Sequence, residues 1–158
     1  MTGRAEVHRL KSRLDATFQR SRQLGSDSDP EIQSDFARYL CVLVSGYLEK
    51  AVTELVLEHA RRSGGPTLQR FVESRTRHFA NANAQRLKDL LGSFHSDWRD
   101  RLNGILRDGL DDAVNGVVDL RNAIAHGESP SVTYHRIDEY YKRVQKVIDE
   151  IMDLCAPQ

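Results

Sequence analysis

The sequence predicts an all-α protein, an up-and-down helical bundle built round one long central helix. Two observations predict it. Apolar residues recur at three- and four-residue spacing through the long stretches of the chain, and helix start and stop residues divide those stretches at Asp29-Pro30, at Ser63-Gly64-Gly65-Pro66 and at Gly127. With 158 residues the chain reads as a single domain, 1–158, with a core of about 30–154 and an N-terminal helix of about 3–24.

The first helix is expected from Gly3 to Leu24, with Val7, Leu10, Leu14 and Phe18 on one face and Arg4, Arg9, Lys11, Arg13, Arg20 and Arg22 on the other. That basic face reads as a solvated surface before an RNA contact. A polar loop, Gly25 to Asp29, follows, and Asp29 and Pro30 suit the N-cap and N1 positions of the second helix. That helix should run to Arg62, roughly 50 Å at the helical rise. Phe36, Leu40, Leu43, Tyr47, Ala51 and Leu55 make one apolar row, widened by Val44, Leu48, Val52 and Val56, which marks a central buried helix. Gly46 within it costs about 1 kcal/mol relative to alanine, so another helix is expected to pack closely there.

A shorter helix is predicted over Thr67–Thr76 with Leu68, Phe71 and Val72 inward. Seven basic residues, Arg61, Arg62, Arg70, Arg75, Arg77, Arg86 and Lys88, stand against Glu73 alone, with Phe79 and the Asn81 and Asn83 amides interleaved. The segment is the best candidate surface for RNA, and a solvated basic face of helices is its alternative. Because the whole chain has a formal net charge of +0, any polyanion binding must be local. Asn83 suits the N-cap of a helix carrying Leu87, Leu90 and Leu91 and broken at Gly92. An amphipathic piece with Trp98, Leu102 and Ile105 follows.

The stretch Asp119–Glu128 reads Asp-Leu-Arg-Asn-Ala-Ile-Ala-His-Gly-Glu. Leu110, Val114, Val117 and Ile124 share one helical stripe, and Arg121 falls inside it. A guanidinium there must meet a partner, a cleft or a ligand, snorkel to solvent, or pair with a carboxylate such as Asp119. Asn122 and His126 lie four apart on one face, whereas Arg121 and His126 are splayed by roughly 140° on a straight helix. Gly127 suits the left-handed position that ends the helix, leaving His126 in the last turn, either as a cap or as a reactive imidazole. The last helix is expected over Val132–Leu154, with Ile137, Tyr141, Val144, Ile148 and Ile151 inward, and Tyr140 and Val147 widening the stripe.

Arg121-Asn122, three residues and then His126, on a late helix of a small helical chain, resembles the signature of the HEPN superfamily. The wording Asn83 to Phe94, in a region of short helices inserted before the motif helix, resembles its RiboL-PSP branch, and the two likenesses cover about Phe36 to Met152. The resemblance implies a metal-independent endoribonuclease without a cofactor, active as a homodimer with a composite cleft and leaving 2′,3′-cyclic phosphate ends. His126 would act as general base or acid, Arg121 would hold the scissile phosphate, and Asn122 would orient either. The same resemblance admits a non-catalytic dimer that binds RNA, a nucleotide or a partner protein. HEPN toxins neutralised by nucleotide transfer carry a tyrosine two residues after the histidine; here Glu128 stands there, and Tyr134 is too far along to replace it. Relatives of this type serve in toxin–antitoxin pairs and defence, so a neutralising partner protein is a further expectation.

Other classes are excluded on simpler grounds. Cys41 and Cys155 form no metal motif and no disulfide framework, and Cys41 reads as a buried apolar residue. No Gly-rich phosphate loop, HExxH pattern or catalytic triad is visible. Charges interrupt Met1–Leu10, and the longest apolar run, Leu40–Val44, is far too short to span a bilayer, so a cytoplasmic protein is expected. His8, His59, His78, His95 and His135 read as scattered surface or structural residues, with His135 the one exception to watch because it opens the helix that follows the motif.

Overall fold

Asp29 begins the central helix by accepting a hydrogen bond from the Glu31 amide at 2.8 Å, with Pro30 in the first turn where its missing N–H costs nothing. The computed structural model describes residues 2–25 and 29–157; of the polar loop expected at Gly25 to Asp29, residues 26–28 lie outside them. Among the described residues the chain forms seven helices and no strand: α1 (Gly3–Gly25), α2 (Pro30–Ser63), α3 (Pro66–Thr76), α4 (Ala84–Gly92), α5 (Ser96–Ile105), α6 (Leu110–Ala125) and α7 (Tyr134–Leu154).

Four of these make the bundle. The start of α1 meets the end of α2, where the Arg4 amide donates to Glu58 Oε2 at 3.1 Å, so the two run antiparallel. The ends of α2 and α7 lie together through Arg62, which donates to the Cys155 carbonyl, so those two run parallel. Helix α6 returns between them, with Gly116 in close contact with the Tyr140 ring of α7. Val7, Leu14 and Phe18 of α1 join the core with Leu40, Val44, Leu48 and Val52 of α2, Val114 and Val117 of α6, and Ile137, Val144, Ile148 and Ile151 of α7. Helices α3, α4 and α5 are inserted between the long α2 and α6.

Three expectations about packing need correction. Phe36 at the start of the α2 row is 37% exposed and Leu43 is only half-buried, because at about 100° per residue both fall at the edge of the stripe that Ala37, Leu40, Val44, Leu48 and Ala51 bury. No atom outside the local helix approaches a Cβ built on Gly46, so close packing within the chain does not account for that glycine. Leu68 and Phe71 of α3 point outward, 45% and 59% exposed, and the helix buries Val72 and Thr76 instead. Cys41 is buried as expected, and its burial pushes the thiol pKa up to about 11. No helix among the described residues is long and apolar enough to cross a membrane.

Candidate functional site

The C-terminal half of α6 leaves the core. Ala113, Val114, Val117 and Val118 are buried, but from Arg121 to Ile124 every residue is half-buried, and Ala125 to Glu128 are exposed. The helix ends in a Schellman cap: the Gly127 amide donates to the Ile124 carbonyl at 3.1 Å and the Glu128 amide to the Ala123 carbonyl at 3.0 Å. Gly127 takes φ +82°, the left-handed conformation that a side chain disfavours. His126 is the C-cap residue itself; its amide closes the helix on the Asn122 carbonyl at 3.0 Å while its ring is free in solvent.

Arg121 has the partner that its position in an apolar stripe demands. Its Nη1 donates to Asn122 Oδ1 at 3.3 Å, and among the described residues it pairs with no carboxylate, Asp119 included. One amide oxygen leaves most of the guanidinium donors unused, so the group retains most of its capacity for an anion. Adjacent residues do not face one another on a helix; the length of the arginine makes the contact. The structure therefore joins Arg121 to Asn122 and leaves His126 one turn further on, beside but not bonded to them. Glu128 is exposed and makes no ion pair among the described residues.

Both ends of this segment are tied to the N-terminal half of α2. Cys41 Sγ donates to the Val117 carbonyl at 3.7 Å on the way in, and Arg38 Nη1 donates to the Pro130 carbonyl at 3.4 Å on the way out. Sequence reasoning had no signal for Arg38, whose role depends on a contact 92 residues away. The same half of α2 exposes Ile32 (48%), Phe36 (37%), Tyr39 (53%) and Val42 (39%), an apolar surface. Tyr134 is committed elsewhere: its hydroxyl donates to the Phe18 carbonyl at 3.4 Å and accepts from Arg22 at 3.3 Å.

The basic segment lies at the other end of the bundle, near the end of α2. Arg61 and Arg70 are exposed, Arg62 is used on the Cys155 carbonyl and lies 3.9 Å from Glu58, and Arg77 lines a shallow cleft with Glu49 and Glu73. Arg75 and Arg86 stand over the rings of Phe71 and Phe79, each at 5.7 Å. Of the interleaved amides, Asn83 Oδ1 caps α4 by accepting from the Arg86 amide at 2.9 Å, whereas Asn81 occupies a left-handed turn at φ +55° with its buried Oδ1 meeting no donor among the described residues. These basic side chains divide between solvent, the Cys155 carbonyl and two clefts, and among the described residues none of them contacts Arg121.

The protein is thus an all-helical bundle with short helices inserted ahead of a late, half-exposed helix that carries Arg121, Asn122 and His126. The chain belongs to the RiboL-PSP-HEPN family, whose model matches residues 8–156. No curated protein and no solved structure compared with the chain gives a significant match. Domains of this superfamily often act on RNA, many as ribonucleases, and commonly dimerise.

Proposed function

We propose that the protein is a metal-independent endoribonuclease whose site is formed by Arg121, Asn122 and His126. The observation that carries this reading is the Arg121–Asn122 pair, half-buried at 3.3 Å, with a solvent-facing imidazole at the end of the same helix. Phosphodiester transfer needs three things: removal of the 2′-hydroxyl proton, stabilisation of charge on the phosphoryl oxygens, and a proton for the departing 5′-oxygen. His126 is the group suited to move protons near neutral pH. Arg121, with most of its donors unused, meets the charge that grows as the 2′-oxygen bonds to phosphorus. Asn122 accepts from Arg121 and so fixes its direction. The 5′-oxygen leaves with a proton, giving a 2′,3′-cyclic phosphate and a 5′-hydroxyl.

One chain offers one imidazole at this site, and the reaction asks for a base and an acid. A two-fold dimer through the exposed face of α2 and the end of α6 would bring a second His126 to the same cleft. It would also cover Ile32, Phe36 and Tyr39 and give Gly46 a close neighbour, each of which the single chain leaves open. Service as a toxin or defence effector with a neutralising partner, in the cytoplasm, belongs to the same proposal.

The test is incubation with a mixed structured and single-stranded RNA pool in EDTA. Cleavage that leaves cyclic phosphate ends, reduced about 10²- to 10⁴-fold in His126→Ala, supports the reading. Cleavage equal in the variant removes His126 from the site. Binding without cleavage by the wild type favours the second reading, a dimer that holds RNA, a nucleotide or a partner protein.

A further inference from the structure

A cavity of about 790 Å³ opens between α3, α4 and the end of α2, at the opposite end of the bundle from the motif. Its volume is in the range of sites that take small organic groups. Leu68 and Phe71 on one wall are exposed although they lie on the apolar side of α3, and Phe79 and Phe94 line it as well. Aromatic surface left open in this way calls for an occupant.

The rim identifies the occupant's chemistry. The Arg75 and Arg86 guanidiniums lie over Phe71 and Phe79 at 5.7 Å, and neither has a carboxylate partner among the described residues. The lining carboxylate, Asp89, is already engaged by Arg99 at 3.2 Å and by Gln85 at 3.0 Å. The cleft therefore offers flat rings capped by unneutralised cations. An unpaired nucleotide matches both features, because its base stacks on the ring or the guanidinium plane while its phosphate meets the charge. An apolar peptide would leave both arginines desolvated and unpaired, which is costly.

We propose that this cleft is an anchoring subsite for an unpaired nucleotide of single-stranded RNA, separate from the Arg121 site. The inference rests on the reading of the chain as RNA-directed. The cleft residue His59 lies on α2 at roughly 27 Å, by helical rise, from Cys41, which touches the motif helix. An RNA held at both places by one chain therefore spans several nucleotides. The subsite selects for unpaired RNA of sufficient length and leaves the chemical step unchanged.

The experiment uses the full chain carrying His126→Ala, so that the probe survives, and a fluorescein-labelled single-stranded RNA of twelve mixed nucleotides. Phe71→Ala and the double variant Arg75→Ala/Arg86→Ala are each expected to weaken binding about tenfold or more. Phe71 is largely exposed, so its removal leaves the fold intact, and a circular dichroism spectrum checks this. A hairpin duplex of equal length is expected to bind at least tenfold more weakly. In the His126-containing chain the same substitutions should raise KM for the twelve-nucleotide substrate and leave kcat unchanged. Unchanged affinity in both variants overturns the subsite, as does equal affinity for the duplex, or for a free mononucleotide. Weakened binding in the variants of a chain that cleaves nothing supports the subsite while the nuclease reading fails. Normal cleavage with unaltered binding and KM overturns the subsite and leaves the nuclease reading standing.

Discussion

Arg38 of α2 donates from Nη1 to the carbonyl of Pro130 at 3.4 Å and to Ser34 Oγ at 2.8 Å, while its other terminal nitrogen pairs with Asp35. One half-buried guanidinium thus pins the chain just beyond the motif to the long helix. The connection from Gly127 to Thr133 is otherwise irregular, so this bond limits its freedom and, with it, the freedom of the α6 end. Arg38→Ala should cost about 1 kcal/mol, a loss of about 2–4 °C in Tm for a chain of this size. Amides of residues 128–133 should then exchange faster in hydrogen–deuterium exchange while those of α7 are unaffected. Unchanged exchange in the connection would show that the bond does not hold it.

Gly127 sets where the helix stops and where His126 stands. Ala at φ +82° carries a left-handed penalty of about 1–2 kcal/mol, so Gly127→Ala should lower Tm by several degrees. Gly127→Asn should recover much of the loss, because asparagine tolerates that conformation. RNA cleavage is expected to fall in the alanine variant beyond its effect on stability, since relief of the strain displaces the imidazole. A thermal scan beside a cleavage assay at a temperature where both variants are folded separates the two effects.

Those two positions differ in what the sequence could reveal. Asp29 as a cap, Gly127 as a stop and the α7 stripe were all legible, because each depends on local backbone geometry or on a face that the chain itself covers. Phe36, Leu68 and Phe71 were expected inside and are outside. Periodicity identifies which face of a helix is apolar, but it does not say whether the cover comes from the same chain. The misread residues lie on the open face of α2 and round the aromatic cleft, where this chain supplies no cover. Spacing along the chain likewise does not reveal that Arg62 is spent on Cys155 while Arg75 and Arg86 turn toward a cavity.

Arg121 separates charge from geometry. Arg121→Ala should reduce cleavage about 10²- to 10³-fold, the scale of losing one transition-state donor, with helicity and dimerisation close to wild type because the residue is only half-buried. Arg121→Lys keeps the charge but loses the planar fork that contacts Asn122 and, in the proposed site, would hold a phosphate with it, so it should recover only a minor part of the rate. Full recovery by lysine would reduce the role of Arg121 to that of a point charge. Unfolding of the alanine variant would make its role structural.

His59 gives a pH dependence to stability. Burial lowers its pKa from the ordinary 6.5, and the neighbouring charges of His95 and Arg62 act in the same direction. Above that value both the folded and unfolded states hold a neutral ring and nothing is lost. As the pH falls below about 6.5 the unfolded chain takes the proton first, so stability declines until the folded-state pKa is passed. His59→Phe retains a ring against Trp98, whose centroid lies at 4.8 Å, and removes the titration. Urea denaturation at a series of pH values should show the variant losing less stability than the wild type between pH 7 and pH 5. Parallel curves would place the pH dependence in other groups.

Tyr39 tests the proposed dimer most directly, because it is 53% exposed on the apolar surface of α2 and contributes nothing to the core of its own chain. Tyr39→Arg should therefore leave Tm nearly unchanged if that surface is free. If two copies meet there, two like charges are brought face to face and an aromatic contact is lost, changes that cost several kcal/mol at an interface. Sedimentation should then shift from dimer to monomer, and RNA cleavage should fall with it even though Arg121, Asn122 and His126 are untouched. Mixing this variant with a His126→Ala chain should restore no activity, because neither supplies a complete pair of seams and imidazoles. A dimer that persists in Tyr39→Arg would move the seam away from α2, and a monomer with full activity would mean that one chain completes the reaction alone.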